Sequence, residues 1–327
     1  MTKRIFAVLI TLTLIIGLIP AAFAAEPYVM KLATVGAPGD SLVTAMEYFA
    51  EEIEKRSNGA IVAEVYHSSQ LGAHRDYIDG LQMGSIQMAE IASSVVATVD
   101  PAYMIFDMPY ISPDEEAQRQ TLKDGAGQYL SDSLLEKANI AVVGWLVRTP
   151  RNVYSSKEPI TSPEGFKGLI IRTMESAPML RAMELLGAKA TPIPANERYM
   201  ALQTKVVDAA ENNSGEIYSK KEFEVTKYLS KTSHIIQPNA LCVDNNFIKK
   251  LPEDLQKLVW EVGYDAGEYA TQFDFDNVSA IEELLISEGG MEINDIPDKS
   301  AFVELLKPLY DEYRDEIGEE LFAMFQK

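Results

Sequence analysis

Val29-Met30-Lys31-Leu32-Ala33-Thr34-Val35, then Gly36-Ala37-Pro38-Gly39, then a run opening Asp40-Ser41-Leu42-Val43 decide the fold of this chain. The first segment is apolar enough to read as a strand, and the glycine and proline cluster breaks it. Asp40 or Ser41 then caps a helix that carries Leu42, Ala45, Met46, Phe49 and Ile53 on one face and stops at Asn58-Gly59. Ile61 to Tyr66 is the next strand, so the segment reads as a βαβ unit with a right-handed crossover. The pattern repeats with a helix over about 73–83, ended by Gly84, and a strand over Ile86 to Ile91. These units predict an α/β lobe with a mostly parallel sheet.

Working outward, Ile140 to Leu146 is apolar enough to be a strand buried on both faces. A second α/β set follows: strands at 152–155, 168–172, 190–193 and 206–209, with helices around 177–186 and 196–204. A strand at Asn239 to Asp244 precedes a helical run from Pro252 to about Glu288, interrupted only by Gly263 and Gly267. At 1.5 Å per residue that helix is on the order of 50 Å long, longer than one lobe, so it is expected to bridge two. Residues 299–326 read as a last amphipathic helix or helix pair.

The chain has 327 residues with 29 Lys plus Arg against 49 Asp plus Glu, a formal charge of −20. Such an acidic surface excludes a nucleic-acid binder, which must displace counterions from phosphates. A single cysteine, Cys242, permits no intramolecular disulfide and no thiolate zinc site, and its apolar neighbours mark it as buried. Lys3 and Arg4 precede an apolar stretch, Ile5 to Ile19, followed by Pro20 and the small-residue site Ala22-Phe23-Ala24. That is the layout of a signal peptide over 1–24 cleaved after Ala24, giving a periplasmic or secreted protein; an uncleaved anchor is the other reading.

Catalytic signatures are scarce. The sequence contains no phosphate-binding loop, dinucleotide fingerprint, G-x-S-x-G elbow or H-E-x-x-H pair, and its three histidines, His67, His74 and His234, are scattered. No cofactor or metal is expected. The informative feature is where arginine sits: Arg172 closes the apolar strand Gly168 to Ile171, and Arg151 follows the turn Thr149-Pro150. Ligands of open α/β sheets bind beyond the carboxyl ends of strands, where a guanidinium offers a planar fork to a carboxylate. The alternative is that each arginine pairs with an internal Asp or Glu. A helix start near Ala73-His74-Arg75 adds backbone N–H groups that favour an anion.

Several segments together resemble the extracytoplasmic solute-binding proteins of TRAP (tripartite ATP-independent periplasmic) transporters, the DctP-like family. They are Ser68-Ser69-Gln70-Leu71-Gly72 with Arg75 and Gly84, Met108-Pro109-Tyr110, Arg151 ahead of Lys157-Glu158-Pro159-Ile160, and Phe166 to Arg172. Leu186-Gly187-Ala188, Glu197 to Gln203, Val207 to Asn213 and Glu224 to His234 complete the match. The resemblance implies a two-lobe α/β protein of periplasmic-binding type II fold. Residues 25–148 with 238–277 would form lobe I, and 149–237 with 278–327 lobe II. The hinge would lie near 146–149, near 234–239 and within 252–288.

It further implies that the lobes close on a small organic anion and deliver it to a TRAP membrane permease, the protein acting as a monomer. Arg172 would take the ligand carboxylate, with Arg151 as a second contact and Asn212 on the same end. His74 and Arg75 would face the ligand from the first lobe, as would Ser93 and Ser94; Glu175, Asn213 and Glu216 would read the rest of it. Glu197, Tyr199 and Gln203 are assigned to packing and supporting hydrogen bonds. Two departures are His74, at a position often acidic in relatives, and Ala195, where relatives can carry an aromatic. The polar positions favour a hydroxylated sugar acid such as a hexuronate, with a dicarboxylate also open. A periplasmic enzyme or a sensor module acting on a carboxylated molecule is the competing reading, and no activated nucleophile or base supports the enzyme.

Overall fold

The computed structural model describes residues 26–326, so the expected signal peptide and its cleavage site lie outside the described residues. The strands in chain order are β1 (Tyr28–Ala33), β2 (Ile61–Tyr66), β3 (Met88–Ala92), β4 (Ile140–Leu146), β5 (Arg151–Ser155) and β6 (Ile170–Thr173). Then come β7 (Lys189–Pro192), β8 (Ala209–Asn212), β9 (Tyr228–Ile235), β10 (Asn239–Asp244) and β11 (Glu292–Asp295). They form two sheets, ordered β2-β1-β3-β10-β4 and β11-β9-β5-β8-β6-β7. The opening βαβ unit is present: β1 and β2 pair in parallel around the helix Ser41–Arg56, capped by Asp40, whose carboxylate accepts from Leu42 N. Leu42, Ala45, Met46, Phe49 and Ile53 are all buried, as their spacing requires.

One strand in each sheet runs against its neighbours: β10 is antiparallel to β3 and β4, and β5 is antiparallel to β8 and β9. The sheets are therefore mixed rather than mostly parallel, and the chain path explains why. β4 leaves the first sheet and becomes β5 of the second across 147–150; β9 leaves the second and becomes β10 of the first across 236–238. These links are too short for a helical crossover, so each arriving strand runs away from the gap between the sheets while the others run towards it. The carboxyl ends of β3, β6 and β8 consequently converge on that gap.

The long helix, Glu253–Ser287, lies along β4 and the helix Ser41–Arg56 and reaches the helix Ser214–Ser219. Its two glycines are contact points. A Cβ on Gly144 of β4 would fall 2.2 Å from the Gly263 carbonyl oxygen, and one on Gly267 would fall 2.5 Å from the Trp145 carbonyl oxygen. Glycine at these places lets helix backbone lie directly on strand backbone.

Differences from the expected elements are local. β8 begins three residues later than expected, β9 and β11 were not anticipated as strands, and the C-terminal segment is three helices, Ser300–Leu306, Pro308–Ile317 and Glu319–Phe325. The last two pack on residues 101–109: the Phe325 ring meets Phe106 edge-on at 5.6 Å, and the Tyr310 hydroxyl donates to the Pro109 carbonyl at 2.6 Å.

Candidate functional site

The apolar run Leu169-Ile170-Ile171 drives β6 into the second sheet beside β7 and β8, with Arg172 in register with Thr191 and Ala210. Arg172 is only 1% exposed. Its Nε donates to the Ile193 carbonyl at 2.7 Å, while Nη1 is buried with no acceptor. Among the described residues no carboxylate forms an ion pair with it. Burial, and then the nearby charge of Arg198, pull its pKa down to about 10. A buried cation without a counter-ion costs a fold several kcal/mol, roughly, so the arrangement is complementary to an anion supplied from outside.

Beside it, Asn212 ends β8. Its side-chain oxygen accepts from Arg151 Nη1 at 3.0 Å and from Asn213 N at 2.9 Å, and its Nδ2 is buried without a partner. The neighbouring strand ends thus present two orphaned donors, one charged. Both residues line a small inner chamber of about 20 Å³ that also includes Leu42, His74, Ala92, Arg148, Met174, Ala195, Gln237 and Asn239. His74, Arg172, Met174 and Ala195 continue into an outer cleft of about 240 Å³ with Arg75, Glu175 and Glu197 at its walls. The chamber draws on both sheets. A hollow of about 290 Å³ beside the long helix is less suited to an anion, because its Arg119 and Lys123 already share Glu268 at 2.5 and 2.7 Å.

The anticipated residues divide into groups. Arg172, Asn212 and His74 line the inner chamber. Arg75 and Glu175 are exposed at the outer cleft. Arg151 lines the chamber, yet every one of its N–H groups has a protein acceptor. Nε and Nη2 engage the Glu211 carboxylate, Nη2 also the Glu211 carbonyl, and Nη1 both Asn212 and Gln237. Here the internal-partner alternative describes what is seen, and Arg151 holds Asn212 in place. Glu216 lines the chamber but is shared by Arg148 at 3.1 Å and Arg198 at 2.9 Å; despite burial, these and other cations hold its carboxyl well below the usual range.

Ser93, Ser94 and Asn213 are not among the residues that line either space. Ser94 donates to the buried Asp107, a group the sequence reading missed, which also accepts from Ser176 at 2.7 Å and from Gln237 at 3.1 Å. Burial pushes the Asp107 carboxyl up to about 6 against those hydrogen bonds. Asn213 is turned inward as a helix cap, accepting from Glu216 N at 3.0 Å. Tyr199 donates to Glu224 at 2.9 Å on the exposed surface.

Further residues went unread: Arg148, Arg198, Gln237, Asn239 and, behind the chamber wall, Glu90. Glu90 is fully buried, accepting from Thr34 Oγ1 at 2.9 Å, Val35 N at 3.0 Å and Asn239 Nδ2 at 2.6 Å; His74 Nε2 lies 3.2 Å away. Arg148 had a usable signal, since it follows the apolar strand Ile140–Leu146 as Arg172 closes its own.

The sequence profile of bacterial extracellular solute-binding protein family 7, the DctP family, matches residues 32–316. The chain belongs to this family. It is 30% identical over 329 residues to the C4-dicarboxylate-binding periplasmic protein DctP of Rhodobacter capsulatus, covering 99% of this chain and 97% of that protein. Two solved TRAP periplasmic solute-binding proteins superpose on it with TM-scores of 0.87, each at 28% identity and covering 91% of this chain and 99% of its own. That of a Sulfitobacter species has β-D-galacturonate bound, and that of Chromohalobacter salexigens has D-glucuronate bound. The fold expected from the resemblance, two α/β lobes with a long spanning helix, is the fold of these DctP-family structures. The family is one of solute-binding transport proteins.

Proposed function

We propose that this DctP-family protein captures a small organic acid in the periplasm by closing its lobes over Arg172 and Asn212, and hands it to a TRAP permease. The observation that carries this reading is the buried Arg172 with an orphaned Nη1 and no carboxylate partner. A ligand carboxylate would supply the missing counter-ion in fork geometry, and a charge-assisted hydrogen bond of this kind contributes about 1.5–3 kcal/mol. Because the chamber is lined from both sheets, a bound acid favours the closed arrangement and shifts the population towards it. Export with cleavage after Ala24 would take the formal charge from −20 to −22, and Arg172 acts locally inside the cleft against that field.

For the ligand we favour a hydroxylated sugar acid of the hexuronate class. Glu90 has no Lys or Arg partner within the described residues and stands behind His74 and Asn239, so that end of the chamber disfavours a second carboxylate. With Nε2 turned to Glu90, His74 leaves Nδ1 as the ring nitrogen open to a ligand hydroxyl. The galacturonate and glucuronate in the two structures support the same class. Titration calorimetry with D-galacturonate, D-glucuronate and succinate tests both levels. A uronate is expected to bind at about micromolar Kd or tighter, and Arg172→Lys to weaken it about 100-fold. Preferential binding of succinate would move the ligand to the dicarboxylate class. Unchanged affinity in Arg172→Lys would remove the carboxylate assignment itself.

A further inference from the structure

Arg148 is 4% exposed and lines the chamber that holds Arg172 and Asn212. Its terminal nitrogens are committed: Nη2 donates to both Asp40 oxygens at 3.0 and 2.9 Å, and Nη1 to Glu216 Oε2 at 3.1 Å. Its Nε is buried and has no acceptor. Asp40 caps a helix of the first lobe and Glu216 belongs to the second, so the guanidinium is held from both sides where the chain passes from β4 to β5. Asp274 of the long helix lies 3.7 Å from Nη2 and fixes the adjacent Thr149 through its N–H at 2.7 Å and its hydroxyl at 2.9 Å.

We propose that Arg148 is a ligand-binding residue, its Nε–H donating to an acceptor oxygen of the bound acid remote from the carboxylate that Arg172 takes. The proposal rests on the carboxylate reading above and adds a specificity rule. The chamber selects acids bearing a second oxygen acceptor, and a monocarboxylate without one leaves Nε buried and unpaired. Asp40 and Glu216 together pin the guanidinium, so Nε keeps one position. Nε is the one guanidinium nitrogen left without any acceptor, and a ligand hydroxyl, carbonyl or ring oxygen can supply it.

The test compares wild type and Arg148→Lys, which keeps the charge between Asp40 and Glu216 but has no Nε–H, against paired probes. The pairs are D-glucuronate with cyclohexanecarboxylate and succinate with butanoate. Arg148→Lys is expected to weaken the oxygen-bearing member that binds by about 10- to 100-fold and to leave its truncated mate within about two-fold. Equal losses for both members, or no loss for either, would overturn the proposal by making Arg148 a structural tie or an idle one. Arg172→Lys, run in parallel, separates the two levels. If Arg172→Lys weakens both members while Arg148→Lys weakens neither, the carboxylate reading stands and this proposal alone falls. Should Arg148→Lys not fold, the Nε–Hε resonance of Arg148 in the wild type decides. It is expected to shift with D-glucuronate and not with cyclohexanecarboxylate, and an unmoved resonance with both overturns the proposal.

Discussion

Arg151 donates to Glu211 through the carboxylate and, from Nη2, through the backbone carbonyl at 2.7 Å, across the antiparallel pair of β5 and β8. Arg172, on the far side of β8, has no such partner. Two buried arginines in one sheet are thus in opposite electrostatic states, one neutralised by a carboxylate of the protein and one without a carboxylate partner.

Removing the neutralised arginine leaves Glu211 buried and uncompensated, so Arg151→Met is expected to lower stability by roughly 3–5 kcal/mol. Urea denaturation checks this. The same variant frees Asn212 from its anchor at 3.0 Å, so whatever folds should bind the acid more weakly.

Removing the unpaired arginine has the reverse effect on the empty protein. Arg172→Met is expected to raise the stability of the ligand-free form by about 1–3 kcal/mol while abolishing binding, since an uncompensated buried charge gives way to an apolar side chain of similar length. A melting temperature below that of the wild type would contradict the unpaired state of Arg172.

The strand and helix contact at Gly144 allows no side chain. Gly144→Ala would place a methyl 2.2 Å from the backbone oxygen of Gly263, so a loss of roughly 3 kcal/mol or more is expected, without any change in residues of the chamber. Thermal unfolding of the ligand-free variant measures it; a change within about 0.5 kcal/mol would show that the helix can lift off β4 cheaply.

Two buried groups give opposite pH slopes. Burial lowers His234 from 6.5 to about 4, so the folded state resists its protonation; the stability it contributes is present above pH 6.5 and lost as pH falls through 4. Asp107 is raised from 3.8 to about 6, so its contribution is present below 3.8 and lost as pH rises through 6. Each shift of about two units corresponds to roughly 3 kcal/mol. Relative to wild type, His234→Gln should gain stability between pH 7 and pH 4, and Asp107→Asn should lose it over the same interval. Denaturation midpoints across that range that run parallel in all three proteins would refute both assignments.

Much of the fold was legible because it is carried by local period and punctuation. The face of Leu42, Ala45, Met46, Phe49 and Ile53 and the glycine at position 84 needed no tertiary information to read. β9 was harder: Tyr228–Ile235 mixes Ser, Lys, Thr and His with Leu and Ile, and it is a strand because β5 and β11 flank it. At the site, Arg172 was readable from an apolar strand ending in a cation. Nothing in the neighbourhood of Ser94 and Asn213 records that Asp107 draws the one hydroxyl inward or that a helix start takes the other as its cap.

By itself the sequence determined the α/β class, the long helix, and the strand-end arginine through which an anion would be held, because each follows from residue type and spacing along the chain. Only the tertiary structure decided which arginine is free. Arg148, Arg151, Arg172 and Arg198 all carry the same charge, and what separates them is the distance to Asp40, Glu211, Glu216 and Glu222, residues far away in sequence. A guanidinium acts on a ligand only through the donors its own fold leaves unmet, and that remainder is a property of the packed chain.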